Sequence, residues 1–356
     1  MTATAQLPST FRVDDIPTVG HERVVRCRDE ATGLHALIGI HSTVLGPALG
    51  GTRFKSYGSE PEALKDVLRL SEGMTYKAAA AGVPLGGGKA VILGDPARLK
   101  TPELLAAYGR FVEHLQGLYV TAADVGTTAD DLEAVYSQTK YVVGRTGSSG
   151  DSGFSTALGV LEAMRGAAEV LWGVEGLRGR RVGVEGVGKV GRHLVDLLLA
   201  EGAEVVVSDP SEAALRQVVV THGDRVRAEP SVLEADVDVY APCALGATLD
   251  GQRVDELSAR MVCGAANNQL ATPEVDQALL DRNVLWVPDY VANAGGLIQV
   301  GGEYLGRTRA EVRSDVVRVG DTARQVIATA LEKHLPTGVA AAALAAERLQ
   351  HSEATS

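Results

Sequence analysis

The hydrophobic and polar positions of this chain change period in a regular way, and each period predicts an element. Residues 22–42 hold two β-rich runs, ERVVRCRDE and GLHALIGIHS, about a turn at Ala31, Thr32 and Gly33, which predicts a hairpin. From Ser59 the period becomes helical, with Leu64, Val67, Leu68 and Met74 on one stripe running towards Tyr76. Ser59 and Glu62 have the spacing of a capping box at the start of that helix. A strand AVILGD (90–95) and a helix opened by Thr101, Pro102 and Glu103 come next. A strand LYVTA (118–122) and a helix opened by Thr128 and Asp131 complete this half.

Across residues 141–153 the chain turns to glycine, serine and threonine (VGRTGSSGDSG), which has little to bury, and a domain boundary is expected there. Beyond it the pattern alternates: strand RVGVEG, a helix from Lys189 to Glu201, strand AEVVVSD, a helix from Ser211, then strands DVDVYA, ARMVCGA and NVLWVP. Such alternation predicts a parallel sheet covered by helices. The alanine-rich tail (339–349) reads as a packed helix. At 356 residues the chain accommodates two α/β domains.

Composition narrows the function. A net charge of −11 argues against a nucleic-acid partner, and any anionic substrate must be met by deliberately placed lysines or arginines. No run of eighteen apolar residues is present, so no membrane-spanning helix is expected, and residues 1–20 do not read as a signal peptide. Three widely separated cysteines (Cys27, Cys243, Cys263) without a CxxC suggest a reduced, cytoplasmic setting. The histidines lack metal-ligand spacing, so no metal is expected.

Gly186, Val187, Gly188, Lys189, Val190 and Gly191 form G-x-G-x-x-G between the strand RVGVE and a helix. In that context the glycines suit a tight turn, backbone approach to a pyrophosphate, and close helix–strand packing. Asp209 ends the next strand, 18 residues after Gly191. A carboxylate there accepts the adenosine ribose hydroxyls and repels a 2′-phosphate, which points to NAD over NADP.

Gly86, Gly87 and Gly88 precede Lys89, but Val83 and Ala90 stand where a phosphate loop needs Gly and Ser/Thr. Backbone packed close to a ligand served by Lys89 is the expected reason for the run. Lys77 lies among Met74, Tyr76 and three alanines, which is unusual for a solvated lysine. Asp124 follows LYVTA, and Asn267 and Asn268 follow ARMVCGA, at the carboxyl ends of strands where open α/β sheets gather ligands.

Eight segments together carry a resemblance: GPALGGTRF, GMTYKAAAAG, GGGK, TAADVGT, EGVGKVG, APCALG, CGAANNQL and VPDYVANAGG. In this order they resemble the glutamate/leucine/phenylalanine/valine dehydrogenase family. The resemblance implies a substrate-binding and oligomerisation domain (1–148 plus about 325–356), a Rossmann-type NAD domain (149–324), and a cleft between them. It implies a homo-oligomer whose small-molecule partners are an amino acid, its 2-oxo acid and ammonia. Carried onto matching positions, Lys77 binds the substrate carboxylate, Lys89 is the catalytic lysine and Asp124 transfers protons. Gly51 and Asn267 line the substrate head group. Thr156 and Asn293 lie by the nicotinamide, with Ala241 and Pro242 by the adenosine half.

Specificity follows by the same comparison. Glutamate-specific members have lysine at the position of Leu49 and serine at that of Val300, so the resemblance implies an apolar substrate. Leucine enzymes have alanine at the position of Gly88 and valine at that of Leu297. Gly88 is therefore expected to open the pocket wall, and Leu297 to pack on a ring, favouring L-phenylalanine over leucine or another branched-chain amino acid. A non-catalytic NAD-binding regulator on the same fold would be expected to lack Lys89 or Asp124, and both are present.

Overall fold

The central strands of the first sheet are buried on both faces. In the computed structural model, which describes residues 10–148, 152–244 and 246–355, the early chain forms β1 (Phe11–Asp15), β2 (Arg23–Asp29), β3 (Leu34–Ser42) and β4 (Ala48–Lys55). There follow α1 (Glu60–Ala81), β5 (Gly86–Leu93), α2 (Pro96–Leu99), α3 (Pro102–His114), β6 (Tyr119–Ala123) and α4 (Asp131–Tyr136). The strand order is β1-β2-β3-β5-β4-β6. The hairpin expected at 22–42 is the antiparallel β2–β3 pair, and β4 is parallel to both β5 and β6.

Alternation assigns each strand residue to a face. Leu37 and Val91 pack with Ala63 and Val67 of α1. Their neighbours Ala36, Ile38, Ala90 and Ile92 pack on the other face with Leu105, Tyr108 and Phe111 of α3. Lys89 therefore shares the α1 face with Val91, and Gly88 shares the α3 face with Ala90.

The second sheet is wholly parallel. It follows α5 (Ser152–Trp172) and comprises β7 (Arg181–Glu185), β8 (Glu204–Ser208), β9 (Val226–Ala228), β10 (Val239–Pro242), β11 (Met261–Val262) and β12 (Leu285–Trp286). Its order, β12-β11-β10-β7-β8-β9, reverses direction between β7 and β10, the switch point of a doubly wound sheet. The intervening helices are α6 (Lys189–Glu201), α7 (Glu212–His222), α8 (Gly251–Glu256) and α9 (Glu274–Asp281). After β12 come α10 (Asp289–Ala292), α11 (Gly295–Tyr304), α12 (Arg309–Val317), α13 (Val319–Lys333) and α14 (Thr337–Thr355).

Two compact units result. The first takes the described residues up to 148 with Val300–Arg307 and the chain from Arg348; the second takes those from 152 to Gln299 and Thr308–Glu347. Residues 149–151, beside the expected boundary, and Leu245 of the APCALG segment lie outside the described residues. The C-terminal return differs from the expected stretch beginning near 325. Residues 325–347 stay in the second unit because α13 packs along α5. In the first unit, Glu303 accepts the Gly144 N–H at 3.0 Å, and Arg348 donates to the carbonyls of Ala79 and Ala80 at 3.0 and 2.6 Å, capping the end of α1.

Local chemistry departs from the expected pattern twice. Ser59 caps α1 by accepting the Glu62 N–H, but Glu62 reaches back to the Gly58 N–H at 2.9 Å. The arrangement is a capping box displaced by one residue. Strand β5 begins at Gly86, four residues before the expected start, so the glycine run is strand rather than loop. Among the described residues, no helix is long and apolar enough to cross a membrane.

Candidate active site

The first unit gathers its charges on the α1 face of the sheet. Lys89, only 7% exposed, places Nζ 2.6 Å from Oδ2 of Asp124 at the end of β6. Arg53 of β4 donates from Nε to the same Oδ2 at 3.3 Å and from Nη1 to Asp66 of α1 at 2.9 Å. Tyr57 donates its hydroxyl to Asp66 at 2.9 Å. The Asp124 loop is held by Thr127, whose hydroxyl accepts the Asp124 N–H at 2.9 Å and donates to the Thr52 carbonyl at 2.7 Å.

Burial dominates the titration of Lys89 and lowers its pKa, with Asp124 opposing the shift and Arg53 adding to it. Burial pushes Asp124 the other way, but Lys89 and Arg53 outweigh it and hold the carboxyl below its ordinary value. A lysine whose pKa is lowered by burial, in contact with a carboxylate, has the makings of a proton donor–acceptor pair.

The glycines before Lys89 have a different cause from the expected one. A Cβ at Gly86 would lie 2.0 Å from the Ser42 carbonyl oxygen, and one at Gly87 would lie 2.1 Å from Thr75 of α1. At Gly88 it would lie 2.8 Å from the Tyr119 ring and 3.1 Å from the Ala48 Cβ. Protein packing, rather than approach to a ligand, accounts for all three. It also corrects the reading of Gly88 as a pocket wall: its missing Cβ faces the core behind the strand, away from Lys89. Gly88→Ala is therefore expected to lower the melting temperature, with overpacking costing about 1–3 kcal/mol. A changed substrate ratio at unaltered melting temperature would contradict this placement.

The Cβ position of Gly87 meets Thr75 of α1, and half-buried Lys77 follows two residues further along the same helix. Gly51 is required by close approach, since its Cβ would lie 2.7 Å from the Ala123 carbonyl oxygen and 2.9 Å from the Asp124 Cβ. Leu49, on the same face of β4 and 1% exposed, adjoins Gly301, whose Cβ position is 3.8 Å from Leu49 Cδ2. Val83 and Leu85 approach that position too, and Val300 is the residue before it in the chain.

The second unit carries the remaining predicted residues. Gly186 (φ +95°) forms the turn after β7, and a Cβ at Gly191 would lie 2.0 Å from its carbonyl oxygen. A Cβ at Gly188 would meet no protein atom within 4 Å, and α6, starting at Lys189 and Val190, has no side-chain cap. Uncapped helix N–H groups beside an open glycine fit a pyrophosphate. Asp209 accepts the Val187 N–H on Oδ2 and the Ser211 N–H on Oδ1, both at 2.8 Å, which fixes its carboxylate beside the turn. Ala241 and Pro242 end β10, across the switch point from β7.

Asn293 donates to Asn267 at 2.9 Å and to the Ala265 carbonyl at 3.1 Å, so these two predicted residues are in direct contact. Thr156 approaches the Cβ position of Gly296 at 2.7 Å, and Leu297 is buried in α11. Arg53, Asp66 and Thr127 were missed by the sequence reading. The available signal was alternation: Leu49, Gly51 and Arg53 are i, i+2 and i+4 on one strand face.

Residues 21–141 match the family described as "Glu/Leu/Phe/Val dehydrogenase, dimerisation domain", and residues 207–355 match "Glutamate/Leucine/Phenylalanine/Valine dehydrogenase". A valine dehydrogenase of Streptomyces virginiae is 50% identical over 336 residues, 93% of this chain and 94% of the relative. The chain belongs to the glutamate/leucine/phenylalanine/valine dehydrogenase family. A phenylalanine dehydrogenase of Caldalkalibacillus thermarum is 44% identical over 350 residues, 96% of this chain and 94% of that one. The crystal structure of L-tryptophan dehydrogenase from Nostoc punctiforme superposes with a TM-score of 0.84 at 40% identity, covering 94% of this chain and 97% of that one. This amino acid dehydrogenase thus has the two-domain α/β architecture of its relatives, with a parallel Rossmann-like second sheet.

Proposed function

We propose that this enzyme catalyses the NAD-dependent, reversible oxidative deamination of an L-amino acid with an apolar side chain. The observation carrying the chemistry is the buried Lys89–Asp124 pair at 2.6 Å. Asp124 takes a proton from the substrate ammonium, and bound NAD would then accept the hydride from Cα of the free amine, leaving an iminium ion. Neutral Lys89 takes a proton from the water that attacks the iminium carbon, and Asp124 relays protons to the departing nitrogen, releasing ammonia and the 2-oxo acid. Lys77 supplies the fixed cation for the α-carboxylate, and Gly51 and Asn267 line the head group.

Asp209 supports NAD, because its two oxygens lie beside the turn that would hold the ribose and pyrophosphate. Asp209→Ser is expected to weaken NAD and improve NADP, narrowing their ratio of kcat/KM. Equal use of both cofactors by the wild type would remove this role. The remaining cofactor residues are Thr156 and Asn293 for the nicotinamide side, and Ala241 and Pro242 for the adenosine side. The dimerisation-domain description of the family matched by residues 21–141 supports a homo-oligomer.

For the side chain, a branched aliphatic group such as that of valine or leucine is the leading reading, supported by the 50% identity to a valine dehydrogenase. Phenylalanine is the second reading. Leu297, which offers a flexible wall to a ring, and the 44% identity to a phenylalanine dehydrogenase support it, but Gly88 no longer does. Measured with NAD, kcat/KM is expected to be highest for L-valine or L-leucine, with L-phenylalanine lower by about 10- to 200-fold. A higher value for L-phenylalanine would reverse this order and leave the deamination chemistry intact.

A further inference from the structure

A lysine paired with a buried carboxylate ordinarily keeps its proton, because losing it strands the carboxylate charge in a desolvated site. Lys89 and Asp124 have side chains only 9% and 23% exposed and meet this description. A catalytic base must nevertheless be neutral, so the site needs a second cation for Asp124. Arg53 occupies that place: its Nε reaches the same Oδ2 that Lys89 uses.

We propose that Arg53 is a positioning residue that keeps Asp124 ionised in both protonation states of Lys89, and so lets Lys89 release its proton. The proposal rests on reading Lys89 and Asp124 as the proton-transferring pair. With Lys89 protonated, two cations crowd one carboxylate oxygen; with Lys89 neutral, the Arg53–Asp124 pair remains. Loss of the proton therefore relieves repulsion instead of exposing a bare charge.

The fork of Arg53 suits the task, because its Nε and Nη1 face two carboxylates from different elements. Asp66 anchors it from α1 and is itself shared, receiving the Tyr57 hydroxyl at 2.9 Å and Arg69 at 3.2 Å. The groups facing the pair are thus Arg53 from β4, Asp66 and its partner Arg69 from α1, and Tyr57. Lys77 lies further along α1. Lysine at position 53 would keep the charge but reach only one carboxylate.

The sign is set by which form is active. Deamination needs neutral Lys89, so kcat rises with pH through the pKa of Lys89. Removing Arg53 leaves Asp124 with Lys89⁺ as its principal partner, raises that pKa and moves the acid limb upward. The kcat–pH profile at saturating NAD and amino acid should move by about one pH unit or more in Arg53→Met. Activity should recover on the alkaline side, and a smaller movement is expected in Arg53→Lys. Should Arg53→Met fail to fold, Arg53→Gln is read in the same way.

A purely structural role would lower kcat equally at every pH and leave the limb in place, which would overturn the proposal. Lys89→Met is measured alongside. Sustained turnover in that variant removes the proton-transfer pair itself, whereas an inactive Lys89→Met with an unmoved limb in the Arg53 variants removes only the role of Arg53.

Discussion

Lys89→Met is expected to lower kcat for deamination by about a thousandfold, and Asp124→Asn by about a hundredfold or more, the range for loss of positioned acid–base groups. Methionine nearly preserves the volume and reach of lysine, so Val91 and α1 keep their packing while the proton acceptor is lost. Asparagine keeps the shape of Asp124 but leaves Lys89 and Arg53 without the carboxylate they share. Dinucleotide affinity should be unaffected, because Gly188 and Asp209 belong to the other unit. Fluorescence titration with NADH beside steady-state kinetics separates the two effects. Near-normal kcat in Lys89→Met is the result that would sink the mechanism.

L-glutamate should be turned over at least about a thousandfold less efficiently than the best apolar amino acid. Leu49 is almost fully buried, and the residues meeting at the neighbouring Gly301 are Val83, Leu85 and Leu49 itself. A γ-carboxylate directed there would be desolvated beside hydrocarbon, at a cost of several kcal/mol. The check is kcat/KM for L-glutamate against L-valine and L-leucine at one pH. Efficiency within tenfold of the better apolar substrate would mean that Leu49 and Val300 do not meet the substrate's far end.

Much of the second unit was legible because its signals are local. The strand before Gly186, the helix starting at Lys189 and the carboxylate at Asp209 are separated by fixed, short intervals, and the structure has each where the spacing puts it. Helix α5 was not read, although it has 21 residues. It is buried on nearly every side, from Ala157 and Leu158 to Ala167 and Ala168, so no polar stripe marks its period.

In the first unit, Lys89 and Asp124 could be named from their motifs, whereas for Arg53 alternation offered only the strand face it shares with Leu49 and Gly51. Its contact with Asp124 arises from β4 lying between β5 and β6, a non-local pairing that residue spacing does not encode. Gly88 failed for a related reason. Which face of β5 it occupies depends on Tyr119 and Ala48, neither of which adjoins it in sequence.

Strand β4 has a consequence for folding fidelity. Leu49, Gly51 and Arg53 share the sheet face of Lys89, while Ala48 and Thr52 face the packed interior, where Thr52 bonds Tyr108 and Thr121 at 2.6 Å. A slip of one residue against β5 and β6 would exchange the two sets, driving an arginine into hydrocarbon and displacing the buried Leu49, the close approach at Gly51 and the Arg53–Asp124 contact together. Incorrectly threaded chains would then have no intermediate level of competence. Specific activity per folded molecule should stay constant through refolding, so recovered activity counts correctly assembled strands.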